Sequence, residues 1–484
     1  MNKEDILAFL ESKKDEMAQV LQELVRFRTV SGMKDELSEK RYYDETRTCF
    51  EYLEEICARM DLPFTNLENE IAEITLGDYS EIIGVPLHID VVPGWEKGEY
   101  EPFAGIRVDN VIYGRGTQDN KGPLASCLYG MWALKEAGIS LKKRIKIIIA
   151  AEEETGEWNT IFNYVKNYNT PVFCFVPDYE FPIVNAEKGM LNIKLTAAWD
   201  KEAAPSPIEF VEFSGGERVN VVPDKATARF ILQCDEIDML SDKPEWIAKA
   251  VEDRMKEKPA RDTIEVTRAF YGKSAHSSKP WDGHNALLDG LAFLKDCEYL
   301  PSKTGRLAQI LRKTCSDMYG KGLNIDITHD FIGPLTISPG ILSLKNGSLD
   351  AYLNIRPPIN ITCDEVVEQI RSKLDEYTTS LGFEIEVKQE GKCFEALWID
   401  PEKNRTYIEP LREAFTEITG RKATLSAATG TTFAKAFPKA VTYGPVDPEN
   451  DIEKAHQADE HVTLDQLLRN AKIYALAMWY LARE

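Results

Sequence analysis

The chain has 484 residues, 43% of them apolar and 29% charged, and a formal charge of −22 at neutral pH. That length is too great for one ordinary core, so two or more domains are expected. So large a negative charge repels phosphate backbones and anionic lipid, which excludes nucleic acid and membrane surfaces as partners.

The first eleven residues read as the start of a charged amphipathic helix, without the apolar region or small-residue cleavage site of a signal peptide. No apolar run approaches the ~18 residues of a membrane span. The nine cysteines are widely spaced and form no CxxC pair, as expected for reduced thiols in the cytoplasm. Up to about Gly84, charged helical segments alternate with one strand-like piece, Ile71–Leu76. Three nearly continuous apolar runs follow, over residues 81–90, 146–154 and 171–178, and these suit strands buried on both faces. Helices are predicted between them at Pro123–Gly138, with Pro just inside the start and Gly at the end, and at Trp158–Tyr168. This alternation predicts an α/β fold, a mostly parallel sheet flanked by helices.

Beyond Gly189 the pattern changes. Met190–Ala198 and Lys225–Gln233 alternate apolar and polar residues, as antiparallel strands with one wet face do. Strands at Asp262–Tyr271 and Ser348–Arg356 flank a helical region from Asn285 to Met318. A helix at Asp364–Leu381 precedes a strand at Phe383–Gln389. From about Glu395 long helices return, at Thr406–Gly420 and Thr463–Arg483, the second opening on the capping-box spacing Thr463-Leu-Asp-Gln466. We therefore expect a catalytic domain built from residues 1–188 and 394–484, interrupted by an inserted α+β domain at 189–393.

In parallel sheets, ligands gather beyond the carboxyl ends of the strands. His88, the pair Glu153–Glu154 and Asp178 stand at three such ends. His88 and Asp90 lie two apart on a strand and share a face, so the Asp90 carboxylate is placed to accept the second imidazole N–H. Asp119 sits in the glycine-rich stretch Gly114–Pro123, whose glycines allow a carboxylate into a crowded crevice. His456 precedes the last helix. Together these imidazoles and carboxylates form a donor set for two divalent metal ions. Zinc suits it, and so do manganese and cobalt.

The same residues carry a resemblance. Leu87-His-Ile-Asp-Val-Val-Pro93, Arg115-Gly-Thr-Gln-Asp-Asn-Lys-Gly122, Glu153-Glu-Thr-Gly156 and Ala455-His-Gln-Ala-Asp-Glu460 resemble motifs of the di-zinc metallopeptidases that include carboxypeptidases, aminoacylases and dipeptidases. The stretches at 177–189, 215–224 and 272–280 resemble the bacterial PepV-type dipeptidases. The resemblance implies one metal on His88 and Asp178, the other on Glu154 and His456, with Asp119 bridging and Glu153 as general base. It also implies a cis peptide bond at Asp119–Asn120 and makes the inserted domain a lid. From that lid His276 would stabilise the oxyanion, while Asn220, Arg356 and the loop at Gly430 would grip a small peptide. Where the family usually shows Gly-Gly-Gly-Thr-Tyr-Ala-Arg, this chain has Thr429-Gly-Thr-Thr-Phe-Ala-Lys435, which bears on specificity.

The expected activity is hydrolysis of a dipeptide's peptide bond by a metal-activated water. Alternatives are a deacylase or carboxypeptidase acting on N-acyl amino acids or short peptides, and a catalytically silent metal- or peptide-binding protein. A two-metal phosphoesterase is disfavoured by the lack of a basic phosphate-binding cluster. The long insertion resembles those of family members in which it mimics a dimer within one chain, and this resemblance implies a monomer, with a homodimer as the alternative.

Overall fold

A computed structural model describes residues 3–32, 36–168, 170–203, 208–233, 245–248, 263–379 and 381–483. The chain forms two compact units, Met1–Glu187 with Leu397–Glu484, and Lys188–Ala396.

The first unit is organised on a nine-stranded sheet. Its order is Phe64–Leu67, Ile71–Leu76, Arg144–Ala150, Ile82–His88, Phe173–Val176, Ala440–Thr442, Ile183–Glu187 and Leu397–Trp398, with Leu425–Ala428 also paired to Ile183–Glu187. The central pairings, from Arg144–Ala150 to Ala440–Thr442, are parallel, and both edges carry antiparallel partners. Every residue of Ile82–His88 is buried, as the apolar run requires of a strand covered on both faces. Helices Lys14–Arg26, Lys121–Glu136 and Leu464–Ala482 pack together beside this sheet. Fifteen of the nineteen residues of Leu464–Ala482 are buried, so this helix lies in the core rather than on the surface.

The helix expected to open at Pro123 begins two residues earlier, at Lys121. The first turn has no intrahelical use for its N–H groups, so proline fits its third position as well as its first. Gly122 is required there for a different reason. A Cβ at this position would collide with the main-chain oxygen of Thr117. Gly122→Ala is therefore expected to destabilise the fold by about 1–3 kcal/mol, read as a lowered denaturation midpoint. An unchanged midpoint would show that the Thr117 turn can move aside.

The second unit is built on a seven-stranded antiparallel sheet in the order Thr263–Tyr271, Lys225–Gln233, Ile208–Gly215, Thr336–Lys345, Ser348–Arg356, Leu191–Ala198 and Glu386–Gln389. Lys225–Gln233 alternates buried and part-exposed residues, the texture of a strand with one covered face. Ala286–Lys295, Ser302–Cys315 and Cys363–Thr378 contribute the helices of its core. Asp262, the expected first residue of one strand, lies outside the described residues. Thr362 closes a full capping box with Glu365, whereas Thr463 accepts from the Gln466 N–H at 3.0 Å. Among the described residues no helix is long and apolar enough to cross a membrane.

Candidate metal centre

Three strands of the parallel centre, and the loops that follow them, deliver the site. His88 ends Ile82–His88, the Glu153–Glu154 turn follows Arg144–Ala150, and Asp178 follows Phe173–Val176. Asp119 stands just before the Lys121–Glu136 helix, and the Asp119–Asn120 peptide bond is cis. His456 occupies a left-handed backbone conformation, φ 63°, in the loop leading to the final helix.

These residues meet around the carboxylate of Asp119. Its Oδ1 lies 2.9 Å from His88 Nε2, and its Oδ2 lies 3.0 Å from His456 Nε2. Asp178 Oδ1 is 3.5 Å from the same His88 nitrogen, and Glu154 Oε1 is 3.0 Å from His456 Nε2. Donor atoms of His88, Asp119 and Asp178 all lie within 4.8 Å of one another, as do those of Asp119, Glu154 and His456, and those of His88, Glu153 and Glu154. Two donor sets thus share Asp119.

His88 shows what this arrangement is suited to hold. Its Nδ1 hydrogen-bonds to the main-chain oxygen of Asp90 at 2.9 Å, which puts the proton on Nδ1 and leaves a lone pair on Nε2. That buried Nε2 makes no aligned hydrogen bond among the described residues, despite its closeness to Asp119. Burial disfavours charge on the ring, but Asp119 and Asp178 raise His88 well above its usual range, so that nitrogen calls for a proton or a metal cation between it and the carboxylates.

The electrostatics agree. Burial, with Asp178 next, drives the Glu153 carboxyl well above its usual range. Burial and the charge of Asp119 push Glu154 to about 7 and Asp178 to about 6. Burial would raise Asp119 too, but His456 and His88 hold it well below the ordinary range. Burial disfavours protonation of His456, yet Glu154 and Asp119 raise it to about 11. Four converging carboxylates and two imidazoles fit divalent cations, which relieve this crowding directly.

Residues 85–480 match the profile of peptidase family M20/M25/M40. The chain belongs to this family. It is 30% identical over 478 residues to the Putative dipeptidase YtjP of Bacillus subtilis, covering 97% of this chain and 98% of that protein. It is 26% identical over 474 residues to the Putative dipeptidase SH1171 of Staphylococcus haemolyticus, covering 96% and 97%. Human carnosine dipeptidase 1 shares the fold at TM-score 0.58 and 13% identity, with 99% of both chains covered. The M20 family metallo-carboxypeptidase Sso-CP2 of Sulfolobus solfataricus does so at TM-score 0.58 and 15% identity, covering 96% of this chain and 99% of that one.

In this M20-family peptidase the Asp90 carboxylate does something other than expected. The imidazole N–H goes to the main-chain oxygen of Asp90, and the carboxylate Oδ1 stays 3.4 Å from Nδ1. The carboxylate accepts instead from the N–H of Glu153 at 2.9 Å, the N–H of Glu154 at 3.0 Å and the Ser31 hydroxyl at 2.7 Å. Asp90 therefore fixes both the His88 tautomer and the turn that aims the two glutamates. Asp90→Asn would set an amide NH₂ against an N–H or hydroxyl donor. A loss of metal affinity of about 10–100-fold is expected, measured by competition with a chromophoric chelator. Unchanged affinity would contradict this positioning role.

Several residues of the site were not singled out from the sequence. Asn120 Nδ2 donates to Asp178 Oδ1 at 2.8 Å and to the Pro177 oxygen at 2.7 Å. Glu460, fully buried, accepts from Arg115 and from the N–H groups of Gly116, Gln118 and Asp119. Glu187, also fully buried, accepts from the Thr432 N–H and from the hydroxyls of Thr432 and Thr442. It thereby pins the loop that contains Gly430. Thr431 adjoins this anchor.

His276, Asn220 and Arg356 lie in the second unit and are linked there. Ala275–His276 pairs with Val221–Val222, and Ser277 N–H donates to the Asn220 oxygen at 3.0 Å. The Ser277 hydroxyl and Arg356 Nε both donate to Asn354 Oδ1, at 2.8 and 3.0 Å. His276 Nδ1 lies 2.7 Å from the Ser278 hydroxyl. Burial lowers the Arg356 guanidinium to about 10.

Proposed function

We propose that this M20-family peptidase is a metal-dependent dipeptidase of the cytoplasm, working as a monomer. The observation that carries the reading is the Asp119 carboxylate, whose two oxygens face the Nε2 atoms of two different histidines at 2.9 and 3.0 Å. His88 and Asp178 would hold one divalent ion, Glu154 and His456 the other, with Asp119 shared. Zinc is our first choice, given the family resemblance, and manganese or cobalt suits the same donors. Bound there, the ions would lower the pKa of a water toward about 7 and polarise the scissile carbonyl.

Glu153 takes the proton of the attacking water and returns it to the leaving amine. Asp90 holds the Glu153–Glu154 turn in place for that transfer. The second unit serves as the lid. From it His276 stabilises the oxyanion, Arg356 grips the substrate carboxylate through its planar fork, and Asn220 holds the peptide. The Gly430 loop contributes to specificity, and its two extra threonines narrow the space that glycines would leave. The names of the curated relatives support a dipeptide as substrate.

The test is hydrolysis of a dipeptide library by chelator-stripped protein, repeated with zinc, manganese or cobalt restored. Ala-Ala should be cut in preference to acetyl-alanine and to a tripeptide. Faster turnover of acetyl-alanine would favour a deacylase, and no cleavage with any cation would overturn the proposal. Light scattering at twice the chain mass would overturn the monomer.

A further inference from the structure

The second unit holds a further cluster of side chains able to hold a metal ion, made of none of the residues assigned above. Cys363, Cys393 and Glu395 each bring one ligand atom, two sulfurs and a carboxylate oxygen, to within 4.8 Å of one another. Cys363 is fully buried and opens the helix Cys363–Thr378. The other two come from the last residues of the unit, which ends at Ala396.

The backbone accounts for the convergence. Phe394 exchanges both main-chain hydrogen bonds with Met190, at 2.8 and 2.9 Å, an isolated antiparallel bridge that pins the segment on which Cys393 and Glu395 stand. Cys393 and Glu395 flank that bridge on either side of the buried Phe394. Cys363 meets them there. Its N–H donates to both oxygens of Glu395, at 3.0 and 3.2 Å, and its sulfur lies 3.7 Å from the Phe394 oxygen. The carboxylate is thus fixed beside the thiols by the first N–H of a sixteen-residue helix.

We propose that Cys363, Cys393 and Glu395 bind one thiophilic divalent cation of the zinc or cadmium class, with water completing a four-coordinate shell. Both thiols lose their protons to solvent as two metal–sulfur bonds form, and a carboxylate oxygen of Glu395 is the third protein donor. Hard cations such as magnesium and manganese are poorly matched to sulfur, so the site discriminates by softness. Its effect is structural. The ion ties the closing segment of the second unit to the start of a core helix, and it stabilises that unit without entering the reaction.

The test is titration of chelator-stripped protein, kept in a non-thiol reductant, with cobalt(II) while the thiolate-to-cobalt charge-transfer absorption is followed. The histidines and carboxylates of the catalytic proposal hold no sulfur, so this band reports the new site whatever becomes of that reading. A band is expected for the unaltered chain, and its loss in both Cys363→Ser and Cys393→Ser. In Glu395→Gln the affinity should fall roughly tenfold or more. Cys393 is only partly buried, so its variant tests the site even where Cys363→Ser fails to fold. Protection of the partly buried Cys393 from alkylation by added cadmium would support the assignment independently. Absence of the band, its persistence in both serine variants, or a disulfide between the two cysteines that forms in preference to metal binding would overturn it.

Discussion

Glu153→Gln is expected to keep both metal ions and lose about 10²–10⁴-fold in kcat. The amide has nearly the shape of the carboxylate but cannot take a proton from water. The substitution also leaves the local backbone anchored. The Glu153 N–H donates to Asp90 Oδ1 at 2.9 Å and its carbonyl accepts from Trp158 Nε1 at 2.7 Å, and neither bond involves the altered side chain. Replacing a buried carboxylate by an amide also removes one of the charges that crowd Asp178 and Glu154, so the fold should not suffer. Metal content and turnover measured on the same sample decide the matter. Near-normal turnover in a metal-replete variant would contradict the general-base role. Loss of metal would instead make Glu153 a ligand, a role its donor atom is close enough to His88 and Glu154 to fill. Glu154→Gln is the contrasting control, since it should lose metal and activity together.

The residues legible in the sequence were those whose placement follows from local pattern. His88, Glu154 and Asp178 each follow an apolar run, and such runs become parallel strands whose ends share one rim. His456 has no such neighbour, and its place in the donor set rested on its conjunction with the other imidazole and carboxylates and on the family motif. Glu460 and Glu187 were harder for a different reason. Each is a buried carboxylate whose meaning lies in partners hundreds of residues away, Arg115 and Gly116 in one case and Thr432 and Thr442 in the other. Periodicity carries no information about contacts of that range. The strand Ile183–Glu187 was hidden because its polar members, Asn185 and Glu187, are buried and hydrogen-bond to groups far away in the chain. The role of Asp90 was half legible. Its spacing from His88 predicted an interaction, but the choice between its carboxylate and its main-chain oxygen depends on where the Glu153–Glu154 turn lies.

The same long-range logic gives the second large effect. Glu460→Ala is expected to destabilise the first unit by about 3–5 kcal/mol, because it leaves a buried charge without its partner. Arg115 is 3% exposed and its Nη1 lies 2.6 Å from Glu460 Oε2. The other oxygen accepts from Gly116 and Gln118 at 3.0 and 2.9 Å, and from Asp119 at 3.3 Å. One carboxylate from the closing segment therefore gathers the loop that presents Asp119. Arg115 retains the carbonyl of Pro93 as an acceptor, but a neutral oxygen does not replace a counter-charge. The loss should appear as a lowered denaturation midpoint and as faster hydrogen exchange at the amides of residues 116, 118 and 119. Arg115→Met combined with Glu460→Met should recover part of the stability, since the uncompensated charge is gone, while exchange at those amides stays fast. A single variant costing less than about 1 kcal/mol would mean that water reaches the guanidinium and that the loop is held from elsewhere.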